Sequence, residues 1–267
     1  MTILDTIAAA SKKRIEAQKE AVTLETVRKE ALALSAARRL DSGVDIGFPF
    51  EKALAASGMS FICEAKKASP TIGVLEENFD YLRIAKDYEK AGAAAISVLT
   101  EPEYFMGSPL YLKEISAAVQ IPTLRKDFII DPYQVYEARS LGAGAVLLIC
   151  ALLGEKVGEY IELAHSLGLS ALVEAHTAEE VHMALAADAH IIGVNNRDLK
   201  SFKVNFETSI SLRKLVPQDR LFVSESGIRT RQDIIKLENA GVNAVLIGET
   251  LMRSADRKAA LSELKGL

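Results

Sequence analysis

Short apolar runs alternate with amphipathic segments along most of this chain. From residue 60 onward the runs are SFICEA (60–65), AAISVL (94–99), PTLRKD (122–127), AVLLIC (145–150), SALVEA (170–175), HIIGVN (190–195), LFVSES (221–226) and AVLIGE (244–249). Most are near-continuously apolar, as strands covered on both faces are. Between them lie segments with helical spacing, among them DYLRIAKDYEKAG, DPYQVYEARSLG, KVGEYIELAHSLG and TRQDIIKLENAG. Several end in Gly, which readily takes the left-handed conformation that closes a helix. Eight strand-plus-helix units, each roughly 20–35 residues after the last, predict an α/β fold of the (β/α)8 TIM-barrel kind. A doubly wound open sheet is the alternative. It usually carries a phosphate fingerprint after its first strand, and neither GxGxxG nor GxxxxGK[ST] occurs.

Residues 1–47 follow a different pattern. Thr2 with Asp5 resembles a capping box, and Ile3, Ile7, Ala10 and Ala17 keep rough helical spacing. Residues 23–40 read as a second helix with Leu24, Val27, Ala31 and Leu34 on one stripe, stopped by Asp41-Ser42-Gly43. Pro49 opens a short helix through Ala56, with Gly58 at its end. The expected organisation is one structural domain: a helical extension, 1–47, packed on a catalytic barrel, 48–267. The extension's apolar stripes need a surface to bury them, and the barrel mouth is the expected one.

Composition narrows the function. Apolar residues make up 49% and charged residues 25% of the 267, ordinary for a globular chain. The net charge of −4 argues against a nucleic-acid binder. The longest apolar stretch, 145–153, falls well short of the about 20 residues that span a bilayer. Two cysteines in apolar runs, Cys63 and Cys150, form no disulfide framework, so a reduced, cytoplasmic setting is expected. No second catalytic domain is expected in this length, and no obligate protein partner is evident. His165, His176, His182 and His190 show no metal-ligand spacing, and no metal is expected.

The strand ends carry the chemistry. In a barrel of this kind the active site lies at the C-terminal ends of the strands. Here those ends offer Glu64 and Lys66, Lys126, Glu174, Asn195 and Arg197, then Glu225 and Ser226. Any single charge at a strand end is as often merely solvated. Five of eight strands doing so favours a pocket. Side chains two apart share a face, so Glu64 and Lys66 can point into one mouth, and Asn195 and Arg197 can do the same. SESGIR (224–229) and LIGETLMR (246–253) place small residues before predicted helices, where backbone amides favour a phosphate. Glu249 is expected to turn its carboxylate outward and offer its amide. The segment 66–81 is long for a strand-to-helix loop and reads as a mobile flap over the mouth.

At this point ICEAKKASPTIG (62–73), GAAAISVLTEPEYFMGS (92–108), PTLRKDFIIDPYQVYEARSLGA (122–143), ALVEAHT (171–177), IIGVNNRDL (191–199), VSESGI (223–228) and AVLIGETLM (244–252) resemble the indole-3-glycerol phosphate synthase family. The resemblance covers nearly the whole chain. Ile72 departs from it, standing where the family often has Lys. The resemblance implies a carbon-carbon lyase that needs no cofactor. Its substrate would be 1-(2-carboxyphenylamino)-1-deoxyribulose 5-phosphate, whose pyrrole ring closes with loss of CO2 and water. Lys126 would be the acid, with its pKa lowered by desolvation. Lys66 would steer the substrate carboxylate, Glu64 would orient the lysines, and Glu174 would serve as base or proton relay. Asn195 and Glu225 would hold hydroxyls, and Arg197 would support the anionic end. Ser69, Ser226, Gly227, Gly248 and the Glu249 amide would receive the phosphate, with Phe128 and Leu199 flanking the aromatic ring. Two rival readings keep the fold. One is an Amadori isomerase resembling phosphoribosylanthranilate isomerase, which would lean on a Cys or Asp base near strand 1; Cys63 stands there, but alternation points it away from the face that Glu64 occupies. The other is a non-catalytic ligand-binding barrel.

Overall fold

The computed structural model describes residues 3–42, 47–198 and 203–267. Eight strands, β1 (Ser60–Ala65), β2 (Ala95–Leu99), β3 (Thr123–Lys126), β4 (Ala145–Ile149), β5 (Ser170–Ala175), β6 (Ile191–Asn195), β7 (Leu221–Glu225) and β8 (Ala244–Ile247), form a closed parallel barrel. Closure is made by β1 against β8, with Ser60 opposite Ala244 and Cys63 opposite Ile247. Alternation along each strand sorts the core into two layers. Ile62, Leu124, Leu147, Leu172 and Val223 fill the inside. Cys63, Ile96, Val146, Val173 and Phe222 face outward under the helices.

Local sequence sets the helix starts. Asp80, Ser108, Asp131, Thr177, Thr230 and Asp256 each accept a backbone N–H from the first turn that follows. They cap α4 (Tyr81–Lys90), α5 (Pro109–Ala118), α6 (Pro132–Ser140), α9 (Ala178–Ala186), α11 (Arg231–Asn239) and α13 (Arg257–Lys265). The remaining outer helices are α7 (Cys150–Leu153), α8 (Val157–Ser166), α10 (Glu207–Arg213) and α12 (Glu249–Met252).

Some strand ends lie a residue or more short of the sequence expectation. Cys150 belongs to α7, because β4 makes its last pairing at Ile149 opposite Glu174. Asp127 leaves β3 to accept the Phe128 N–H and the Thr100 hydroxyl. Segment 66–81 is a built element: Ala68–Ser69 and Gly73–Val74 pair as an antiparallel hairpin over the mouth.

Three helices precede the barrel: α1 (Ile3–Ala21), α2 (Leu24–Ser42) and α3 (Pro49–Leu54). Helix α3 ends at Leu54, two residues before the expected end, and its buried Phe50 and Leu54 join the inner barrel core. The buried stripe of α1 is Leu4, Ile7, Ser11 and Ile15, so Ala17, expected inside, is exposed. Among the described side chains of α2 the buried ones are Val27, Ala31 and Ser35, while Leu24 and Leu34 are 39% and 45% exposed. Serine reads as polar, yet Ser11 and Ser35 are both buried. Ser35 donates to Leu167 O at 2.9 Å and accepts from Arg139 Nε at 3.1 Å. Thr2 and Gly43, named as helix signals, lie outside the described residues.

Helix α1 lies across the mouth. Leu4 reaches the inner barrel core. Arg14 donates to Asp127 Oδ1 at 3.0 Å and to Glu101 Oε1 at 3.4 Å. Both carboxylates are fully buried. Asp127 is also paired with Arg125 at 3.1 Å. Burial alone would raise its pKa, but Arg125 and Arg14 hold it below the usual carboxylate range. Glu101 accepts three successive backbone N–H groups, from Glu103, Tyr104 and Phe105. One arginine therefore ties α1 to the loops after β2 and β3. Charged hydrogen bonds of this kind contribute about 1.5–3 kcal/mol. Arg14→Leu is expected to lower Tm by several degrees and to raise KM more than it lowers kcat. A thermal scan with steady-state kinetics measures both. An unchanged Tm and KM would mean that the pairs hold nothing in place.

Candidate active site

A cavity of about 570 Å³ opens at the C-terminal ends of the strands. Glu64, Lys66, Ser69, Lys126, Phe128, Glu174, Asn195, Arg197, Glu225, Ser226, Gly227, Gly248 and Glu249 all line it. Leu199 lies outside the described residues. Ile3, Leu4 and Ile7 of α1 and Ile72 of the hairpin contribute apolar wall. The sequence reading did not include Phe105, whose ring lies 5.9 Å from Phe128 along the same wall. It also omitted Arg229, Thr250 and Arg253.

The floor holds two cation–carboxylate groups. Lys66 Nζ donates to Glu64 Oε1 at 2.6 Å. Lys126 Nζ lies 3.4 Å from Glu174 Oε2 and 3.6 Å from Glu225 Oε2, and both carboxylates are 2% exposed. Asn195 Nδ2 donates to Glu174 Oε2 at 3.4 Å, and its Oδ1 accepts the Arg197 backbone N–H at 3.0 Å. His176 lies behind Glu174, with Nε2 3.5 Å from Oε1.

These surroundings drive the two buried carboxyls apart. Burial raises both, and for Glu174 this is outweighed by Lys126, His176 and Asn195, which hold it below the usual range. Glu225 is pushed up to about 8, chiefly by burial and then by the neighbouring Glu174 and Glu64, despite Lys126. Its Oε1 has no hydrogen-bond partner. Near neutral pH one carboxyl is anionic and the other protonated, the separation that divides base from donor. For Lys126 the sequence expectation of a lowered pKa is overturned. Burial does push it down, but Glu174, Glu225 and Glu64 together push it above its ordinary value.

The loop after β7 differs from the expected helix start. Ser226 and Gly227 are both left-handed, at φ 68° and 82°, and α11 begins only at Arg231. A Cβ on Gly227 would strike Val204, so this glycine is required by conformation and by space. After β8 the expected arrangement holds: Gly248 caps the short α12. The space beside Gly248, however, is filled by Glu64 and Lys66, which a Cβ there would meet. Glu249 is not simply turned away. Its carboxylate lies between Arg197, at 3.6 Å, and Arg253, at 3.3 Å, which offset its charge. Thr250 donates to Ile228 O at 2.7 Å and ties the two loops together.

Among the described residues no helix is long and apolar enough to cross a membrane. Also among them, no group of three or more His, Cys, Asp or Glu is arranged to hold a metal ion. Cys63 faces the outer core, away from the cavity, and burial pushes its thiol well up.

Fold and mouth together define a (β/α)8-barrel enzyme with lysines and buried carboxylates on the floor of its cavity. The sequence matches the indole-3-glycerol phosphate synthase family over residues 4–264. It is 56% identical to the indole-3-glycerol phosphate synthase of Ruminiclostridium cellulolyticum over 99% of both chains. It is 54% identical to that of Endomicrobium trichonymphae, over 98% of this chain and 99% of the relative. The chain belongs to the indole-3-glycerol phosphate synthase family, carboxy-lyases of tryptophan biosynthesis that act on a small phosphorylated substrate. Among solved structures it is similar to thiamine phosphate pyrophosphorylase from Pyrococcus furiosus, with a TM-score of 0.57 and 17% identity. That likeness covers 81% of this chain and 96% of the other, and it is one of fold alone.

Proposed function

We propose that this chain converts 1-(2-carboxyphenylamino)-1-deoxyribulose 5-phosphate to indole-3-glycerol phosphate, with Lys126 as general acid and Glu174 as base. The observation that carries the assignment is the Lys126 ammonium held 3.4 Å and 3.6 Å from the buried Glu174 and Glu225 carboxyls at the barrel mouth. The ring carbon bearing the carboxylate attacks the ketone carbon, and the ketone oxygen takes a proton. An alkoxide is more basic than an amine, so even a firmly protonated lysine donates to it readily. Loss of CO2 leaves its electron pair to restore the aromatic ring. The new hydroxyl then leaves as water with a second proton from an acid. A base removes a proton from the methylene carbon beside nitrogen, and Glu174, held anionic, is suited to that step.

The remaining residues follow from charge and position. Lys66, fixed by Glu64, attracts the substrate carboxylate until it departs. Phe128 and Phe105 offer aromatic contact to the ring. Asn195 and protonated Glu225 donate to hydroxyls. Arg197, Ser69 and the loops at Ser226–Gly227 and Gly248–Glu249 receive the phosphate end. Closure by α1 and the hairpin excludes water from the dehydration. The isomerase reading is disfavoured because Cys63 faces away from the cavity. A non-catalytic barrel would have no reason to bury Lys126 between two glutamates, which is costly in free energy. The test is fluorescence of purified protein given the carboxyphenylamino substrate, since a synthase alone produces an indole.

Glu225 gives a pH prediction. Below about pH 8 it is protonated and donates to substrate. As pH rises through that value it ionises, the donor is lost, and a second anion faces Glu174. Activity should therefore fall on the alkaline side near pH 8. Glu225→Gln keeps a donor at every pH, so that limb should disappear from its kcat/KM profile. An alkaline limb of the same position in the variant would assign it to another group.

A further inference from the structure

His176 stands just past the end of β5, two residues after Glu174. The side chain is 14% exposed. Nε2 lies 3.5 Å from Glu174 Oε1 and Nδ1 lies 3.4 Å from Glu180 Oε2, ion-pair distances rather than closed hydrogen bonds. Glu180 is itself anchored. Its Oε2 accepts the His176 backbone N–H at 2.7 Å, and its own N–H donates to Thr177 at 3.2 Å. The two oxygens of Glu174 thus face different groups: Oε2 faces Lys126 and Asn195 in the cavity, and Oε1 faces His176.

We propose that His176 is a positioning residue for Glu174: it holds the far oxygen so that the near one meets the substrate, and it keeps the carboxylate charged. The proposal rests on the reading of Glu174 as base. A carboxylate torsion is broad and roughly two-fold, so a glutamate gripped on one oxygen can rock out of line. A cation on the second oxygen removes that freedom.

The charges around the imidazole favour its protonated form. Glu174 on β5, Glu180 on α9 and Glu225 on β7 face it. Lys126 on β3 lies on the opposite side of Glu174. The Cys150 thiol of α7, pushed up to about 12 by burial and by Glu180 and Glu174, stays neutral. Burial works against a charged imidazole, but Glu180 at close range, together with Glu174, raises its pKa above the ordinary value. The sign follows. Protonated His176 favours anionic Glu174, so removing it lets the Glu174 pKa rise. The acid limb of the rate profile should then move to higher pH.

The test is kcat and KM of the full chain with the carboxyphenylamino substrate from pH 3.5 to 8, a range that includes the acid limb of a carboxylate held below its usual value, with circular dichroism to establish folding at each pH. His176→Gln is expected to lower kcat about tenfold at neutral pH with KM within about twofold, the signature of a misaligned catalytic group. Its acid limb should shift upward by roughly half a pH unit or more. Glu180→Gln, which takes away one of the charges favouring imidazolium, should shift the limb the same way by less. A folded His176→Gln protein with an unmoved acid limb would overturn the proposal, leaving His176 as packing. Should that variant fail to fold, an unmoved limb in Glu180→Gln would do the same. Glu174→Gln separates the layers. If it is nearly inactive, the base reading stands and the histidine variants decide the proposal. If it is active, the base reading fails and the proposal falls with it.

Discussion

Lys126→Met should lower kcat by about 10²–10⁴-fold, the usual loss when a positioned acid is removed, while substrate still binds. The ammonium is the cation shared by Glu174 and Glu225. Its loss removes the proton donor and releases the hold that keeps Glu174 anionic. Acid and base therefore fail together, and the variant should not be rescued at any pH. Lys126→Arg keeps a positive charge but exchanges a compact donor for a broad planar one with a higher pKa. It should also remain far below wild type. Steady-state kinetics with a binding titration of the inactive variant measure both. Turnover near wild type in Lys126→Met would remove the acid assignment.

Gly248→Ala should cost roughly 10²-fold in kcat/KM. Gly248 has φ −116°, outside the left-handed region, so the substitution meets no left-handed strain. What it meets is the Glu64 carboxylate and the Lys66 ammonium, directly in the way of a Cβ. That pair, 2.6 Å apart, would have to shift, and displacement of a catalytic group by about 1 Å can cost 10²-fold. Gly248→Asp should be worse, because it adds a carboxylate beside Glu64. The measurement is kcat/KM with circular dichroism to establish folding. A folded Gly248→Ala protein with normal kcat/KM would show that the Glu64–Lys66 pair can move freely and has no part in the chemistry.

The barrel and its mouth were legible because both depend on short-range pattern. Buried strands read as apolar runs, and a run that ends in Glu64, Lys126 or Glu174 announces a polar strand end. Alternation then places Glu64 inside and Cys63 outside, as found. What failed depends on partners distant in sequence. The raised Lys126 pKa arises from carboxylates on β1, β5 and β7, which no local window contains. The same holds for Arg14 and Asp127, brought together from the extension and the loop after β3. The α1 and α2 stripes were misjudged because Ser11 and Ser35 are small enough for close packing, a property that hydropathy does not record. His176 has no metal-ligand spacing in the sequence. Its position two residues after Glu174 was the available signal.

The account is tested most directly by following labelled CO2 from the substrate carboxylate and indole fluorescence in one reaction. It predicts one CO2 and one indole per substrate consumed, both nearly abolished in Lys126→Met. Consumption of substrate by the wild-type protein without CO2 and indole in equal amounts would contradict it.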